Sequence, residues 1–361
     1  MTDESRARPG PAPDDRPGPG ARPLSDDTDA GHGPCPGVEP LGPDSLTWKF
    51  FGDWRGVLLA PWAGAMQNMH PGLGAGVAEH SRFFEERWQR LFRSLYPIGG
   101  VVYDGPRAAE TARQVRGYHD TIQGVDRHGR PYHALDPDTF YWAHATFFML
   151  TVLVADRFGP GLKEAEKRQL FEEHVRWWRM YGMSMRPVPK SWPDFQAYWD
   201  RMAAEVLEDN QPTRDVLDIR FIARPPALSW LPGPLWRALR GPQARFTVWF
   251  TVGLFPAAVR ERLGYRWTAR DERRLRRFGR FVHHAWRLVP PGRRYHPRAR
   301  AGWQRVAGVR APGAPQVESP ARNLPLPEER NSPTHYVPPT VAEECTGDGS
   351  AKVRRRRRRR D

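Results

Sequence analysis

The chain has 361 residues, with 56 Lys plus Arg against 41 Asp plus Glu and a formal net charge of +15 at pH 7. Seven of those charges form the run Arg354 to Arg360, which leaves +8 for the remainder; with no RNA-binding motif beside it, the run reads as a solvated tail and not as a specific nucleic-acid site. Cys35 and Cys345, the only two cysteines, exclude a disulfide framework and a thiolate metal centre, and no apolar stretch follows Arg6 and Arg8, so a cytoplasmic location is expected.

Residues 1–44 and 301–361 are dense in Pro, Gly and charged side chains and poor in large apolar ones, so both are expected to be disordered tails. Between them, residues 45–300 are long enough for one sizeable core. Periods of three and four dominate and β-branched alternation is scarce, which predicts a single large all-α domain.

In chain order, Trp48 to Leu59 leads into Met66 to Pro71, where Pro71 is expected to end or redirect the first helix. Gly72 to His80 reads as a small-residue segment that lets backbone pass close to something bulky. Phe83 to Leu95 predicts a helix with Phe84, Trp88, Leu91 and Leu95 on one stripe; Arg90, Arg93 and Ser94 share another face, and Pro97 with Gly99-Gly100 stops it. Asp104-Gly105-Pro106 starts a helix expected to reach about Gln123. Its apolar stripe, Ala108, Ala112, Val115, His119 and Ile122, places a histidine toward the core.

Asp126 to Asp136 is a turn-rich connection, and Asp138 is placed to cap a helix over Thr139 to Asp156. That helix is apolar on nearly every side, so it is expected at the centre, with His144 as its one strongly basic group. Amphipathic helices follow over Leu162 to Tyr181 and from Ser191. A last helical region runs from Gly241 to Val289 and turns basic after Ala269. The apolar stretches at 139–155 and 246–259 fall short of the ~20 residues needed to span a bilayer, so membrane contact is expected to be peripheral at most.

The common catalytic signatures are absent: no G-x-G-x-x-G after a strand, no Walker loop, no G-x-S-x-G elbow, no H-E-x-x-H. From the residues alone, His119 fits either a structural core histidine or a ligand. His144 fits either a hydrogen bond to a buried carbonyl or a pocket wall.

The order of motifs adds to this reading. GDWRGVLL (Gly52 to Leu59), M-x2-MHP (Met66 to Pro71), GVAEHS (Gly76 to Ser81), R-L-x-R-S (Arg90 to Ser94), V-R-x-x-H-x-x-I-x-G (Val115 to Gly124), G-R-P-Y-H-A-L (Gly129 to Leu135) and W-A-H-A-T (Trp142 to Thr146) follow one another. Together with LFPAAVRERLG (Leu254 to Gly264), this succession resembles the rubber oxygenase (latex-clearing protein) and MpaB-type oxygenase family over about Trp48 to Pro297. The resemblance implies a helical fold around a buried pocket for b-type haem, with His119 as the iron ligand and His144 near the cofactor. It implies dioxygen and a small apolar substrate as reactants, and leaves open whether an electron donor takes part.

The family's distal R-x-x-K-T arrangement corresponds to Arg90, Arg93 and Ser94, which would carry the catalytic roles. Arg93 stands where the family has lysine and Ser94 where it has threonine. Arginine keeps its proton and is a poor iron ligand, but it holds propionates or bound dioxygen well through charge-assisted hydrogen bonds. Glu79 and Glu86 are the candidates for a distal carboxylate. The alternatives are a non-catalytic helical protein that binds through its basic tail, and a haem carrier or sensor without turnover.

Overall fold

A computed structural model describes residues 38–81, 86–220, 224–225 and 228–324. The expected tails lie largely outside these residues. Among them run thirteen α-helices and one two-stranded hairpin, so the all-α expectation holds.

The N-terminal part is more broken than its apolar run suggests. Helix α1 (Leu46–Phe50) is capped by Ser45, whose hydroxyl accepts from Trp48 N–H. A 3-10 turn over Trp54–Leu59 is capped by Asp53, and α2 (Ala60–Asn68) follows. Pro71 redirects the chain by opening a new helix, α3 (Pro71–His80), at its first position, where a missing N–H is harmless. The small-residue segment is therefore helical. Its close approach is to protein: a side chain at Gly74 would lie 2.4 Å from Asn68 O and 2.6 Å from Asn210 Nδ2.

Helix α4 (Arg87–Tyr103) runs straight through Pro97 and Gly99-Gly100, which were expected to stop it. An interior proline costs on the order of 3 kcal/mol, so tertiary packing must offset the loss. The glycines show how. A Cβ at Gly99 would lie 2.6 Å from His296 Cε1, and one at Gly100 2.5 Å from Arg298 Nη2, so helix α13 (Pro297–Val306) and its capping residue press onto this segment. Trp48 Nε1 donates to Val102 O at 2.7 Å, and Asp104, which caps the helix end, accepts from Arg298 Nε at 3.0 Å, Thr111 Oγ1 at 2.7 Å and Gln316 Nε2 at 2.9 Å.

The folded part thus continues past residue 300. Gln316 and Ser319 bond back to Asp104 and Phe92 O from a stretch first assigned to the disordered tail. Asp104 and Arg298 are both 3% exposed. Removing one member of a buried pair strands the other charge, so Arg298→Ala is expected to lower the free energy of urea unfolding by about 3–5 kcal/mol. A loss under about 1 kcal/mol would mean that water reaches the pair.

Helix α5 (Ala108–Gly117) buries Ala108, Ala112 and Val115 as expected but ends six residues early. The hairpin β1 (Gln123–Val125) and β2 (Pro131–His133) occupies the stretch expected to be helix end and loop, in antiparallel register with Gly124 opposite Tyr132. Helix α6 (Pro137–Phe158) is central, buried on most of its circumference, and its N-cap is Asp136, with Asp138 inside its first turn. Around it pack α7 (Glu164–Met180), α2, α3 and α12 (Ala269–Trp286).

Helix α8 (Trp192–Arg201) starts at the expected Ser191 cap. The last helical region is three elements: α10 (Gly233–Leu254), α11 (Ala257–Arg262) and α12, preceded by α9 (Gln211–Leu217). Tryptophans brace these contacts with satisfied indoles; Trp142 Nε1 donates to Met66 O at 2.8 Å and Trp62 Nε1 to Leu254 O at 3.2 Å. No helix among the described residues is long and apolar enough to cross a membrane.

Candidate functional site

One cavity lies among α3, α4, the end of α5 and α6, enclosing about 1330 Å³ when the open mouth is included. Helix α3 contributes Gly72, Gly76, Val77 and His80. The glycines keep α3 close to Thr139, Tyr132 and Ile122, where a side chain would meet atoms at 3.2–3.5 Å. Helix α6 contributes Phe140, Ala143, His144 and Phe147, spaced three and four residues apart so that they form one wall. Helix α4 contributes Arg90, Arg93 and Ser94, together with Pro97 and Ile98. Val115, Tyr118, His119 and Ile122 come from the end of α5 and the turn after it. All five residues singled out from the sequence therefore meet around one space, although they lie up to 54 positions apart in the chain.

His119 is not on a helical face. It sits in the turn that follows α5, where Gly117 ends the helix. Its Nδ1 lies 2.8 Å from Val115 O. A carbonyl can only accept, so Nδ1 carries the proton, and the lone pair of the neutral ring falls on Nε2. Burial pushes the pKa below its ordinary value, and the Val115 carbonyl bond opposes that shift only in part, so the ring stays neutral at pH 7. Phe140 meets the imidazole edge to face at 5.4 Å and fixes its plane.

Across the cavity, Arg90 Nη1 bonds Ser81 Oγ and Arg93 Nη2 pairs with Glu86 Oε2. Ser94 is exposed at the mouth. Of the two carboxylate candidates, Glu86 lines the cavity, while Glu79 turns away to accept from Tyr132 Oη.

His144 is 2% exposed. Its Nε2 donates to His174 O at 3.2 Å, so its lone pair is on Nδ1, which has no protein partner. Burial pushes its pKa down to about 3. The sequence left two roles open for His144, and the fold combines them: one nitrogen bonds a buried carbonyl and the ring lines the pocket.

His174 was missed. It stacks on His144 with ring centroids 4.2 Å apart, and its Nε2 lies 3.0 Å from Tyr141 Oη. The signal was present, since His174 follows Leu170 and Phe171 at helical spacing on the face of α7 that continues to Trp177 and Trp178. Tyr118 and Tyr181 also line the cavity and were not singled out. Among the described residues, no group of three or more His, Cys, Asp or Glu side chains is arranged to hold a bare metal ion.

The family model for the catalytic domain of the ER-bound oxygenase mpaB/B′ and rubber oxygenase matches residues 48–284. The chain belongs to this family. No curated protein and no solved structure matches it. The matched region of this mpaB/rubber-oxygenase domain begins at Trp48 in α1 and ends at His284 in α12, so it contains every cavity wall described above.

Proposed function

We propose that the chain is a haem-dependent oxygenase acting with dioxygen on a small apolar substrate. The observation that carries this reading is the convergence of His119, the Arg90/Arg93/Ser94 face and His144 on one cavity of a family of oxygenase catalytic domains.

The residues fit a b-type haem. His119 presents a neutral imidazole whose Nδ1 donates to a backbone carbonyl, a bond that orients the ring and raises the basicity of Nε2, the atom that would bind the iron. Leu73, Val77, Ile98, Val115, Phe140 and Phe147 supply apolar walls for a flat macrocycle and a greasy substrate. Arg90 and Arg93 supply fixed positive charge suited to propionates or to negative charge developing on oxygen. Bound there, haem would supply the iron at which dioxygen is activated.

The chain's own groups then have separable tasks. His119 would hold the iron. Arg93 is tethered by Glu86 at the cavity wall. The buried Nδ1 of His144 offers an acceptor to a donor entering the cavity. The departure from lysine to arginine removes an amine that can lose its proton, so Arg93 would hold an anionic group of the cofactor or of bound oxygen and would not itself be a ligand. An electron donor enters only where one oxygen atom goes to the substrate and the other leaves as water, a step that takes up two electrons and two protons; insertion of both atoms needs none. Titration of the purified chain with hemin tests the reading: a saturable Soret band that shifts on reduction with dithionite is expected. A chain that takes up no hemin would return the histidines to structural roles.

A further inference from the structure

The basic character of this protein is concentrated in its fold as well as in its terminal run. Residues 231–300 contain seventeen arginines, no lysine and three acidic residues. Helix α12 concentrates them. Its spacing puts Arg270, Arg273, Arg277, Arg280 and His284 within one face, and all five are exposed. Its two acids, Asp271 and Glu272, lie on the opposite flank, where Asp271 bonds Thr268 and Trp249, and Glu272 bonds Trp267 and Arg157.

The inner side is tightly seated. A Cβ at Gly279 would lie 2.3 Å from Arg157 O, and Phe278 packs against Phe158, Phe246 and Phe250. The arginine face is therefore the permanent outer side of a fixed helix.

Large apolar side chains stand among these charges. Phe281 is 67% exposed on the arginine face, and Leu288, just beyond the helix, is 86% exposed. On α10, Leu235, Leu239 and Phe246 recur at spacings of four and seven, so they form one exposed stripe. Phe246, at the end of that stripe, packs on the inner flank of α12 through an edge-to-face contact with Phe278, with centroids 5.1 Å apart, so the two helices are fixed side by side. Trp230 precedes the stripe and is 74% exposed. Single exposed apolar residues are ordinary, but an exposed stripe on α10 together with exposed Phe281 and Leu288 on and just beyond the arginine face of the adjacent helix is not.

We infer that the outer faces of α10 and α12 dock on an anionic phospholipid bilayer surface, with the arginines on the phosphates and Phe281, Leu288 and the α10 stripe entering the acyl boundary. Charge complementarity selects this occupant. In a bilayer, charge and hydrocarbon are separated by depth, so guanidinium and apolar side chains that alternate along one face can both be satisfied. Arginine matches phosphate in its fork geometry, and Trp230 has the amphipathic ring favoured at that depth. A nucleic acid would meet the arginines but would leave the aliphatic Leu235, Leu239 and Leu288 against water. This inference does not rest on the haem assignment.

The experiment is flotation of the full chain with vesicles of phosphatidylcholine alone and of phosphatidylcholine mixed with phosphatidylserine, at low and high salt. Binding to the mixed vesicles, weakened by salt, is expected. The combined Arg273→Gln, Arg277→Gln and Arg280→Gln variant should lose affinity on the order of a hundredfold, since each surface arginine near anionic lipid contributes about fivefold. Phe281→Ser with Leu288→Ser should weaken binding several-fold at constant charge. All five positions are exposed, so circular dichroism should be unchanged.

Retained binding in both variants, with loss only on replacing Arg354–Arg360 by glutamine, would overturn the inference in favour of the tail. Indifference to the Phe281/Leu288 pair would overturn the insertion of the apolar row. Failure to float, with tight binding to a short DNA duplex instead, would assign the face to nucleic acid.

Discussion

His119→Ala is expected to abolish haem binding, seen as loss of the Soret band at hemin concentrations that saturate the wild type. The expectation follows from the geometry of one ring. Nδ1 donates to Val115 O, Phe140 fixes the plane, and burial lowers the imidazole's pKa, so the lone pair of the neutral ring lies on Nε2. His144 lies on the wall of α6 with its Nε2 spent on His174 O, and Phe140 and Tyr181 stand between it and His119 in a chain of ring contacts at 5.4, 5.3 and 5.6 Å.

His119 occupies a turn and contributes little to helix packing, so the variant should fold. Unchanged far-ultraviolet dichroism together with a lost Soret band would separate a ligand from a structural residue. A variant that keeps full haem content would remove the iron from His119. Adding imidazole to His119→Ala should restore part of the band, because the cavity left by the ring accepts a free one.

The second large effect concerns acid. His144, His174 and His296 are 2%, 1% and 2% exposed. Burial pushes His144 and His296 down to about 3, with the Arg298 charge assisting at His296. Burial, and then the stacked His144, hold His174 well below its ordinary value. In the unfolded chain each titrates near 6.5. A histidine depressed in the fold stabilises the protein fully above its unfolded value, and that contribution is lost as pH falls from 6.5 toward 3, because the unfolded state binds the proton first.

Each unit of that interval costs about 1.4 kcal/mol per histidine, so His144 and His296 together remove about 4 kcal/mol between pH 6.5 and 5, and His174 acts in the same direction. That is a large share of the whole stability of a typical domain, about 5–15 kcal/mol. Urea unfolding free energies of the chain without added haem should therefore fall steeply below pH 6, with acid unfolding under way by pH 5. A flat profile from pH 7 to 5 would show that water or a bound group reaches these rings.

Helix content, the central position of α6 and the helix start at Ser191 were legible in the sequence because they rest on local spacing and local chemistry. The site residues Arg90, Arg93, Ser94, His119 and His144 were legible through motif order, which carries the family but no geometry. That they share one cavity was decided by tertiary structure. So was the end of α5 at Gly117, where the β1–β2 hairpin takes the chain that helical periodicity assigned to α5.

The passage of α4 through Pro97 depended on α13, two hundred residues further along, whose His296 and Arg298 fit only against glycine. The choice between Glu79 and Glu86 depended on where Tyr132 stands. The role of His174 depended on its stacking against His144. Charge shows the same division: the sequence fixes how many arginines there are, but only the seating of Gly279 on Arg157 O determines which of them face out together. Local patterns determine which elements form, whereas close approaches between distant segments, each excluding or admitting a single side chain, determine where those elements end and what they enclose.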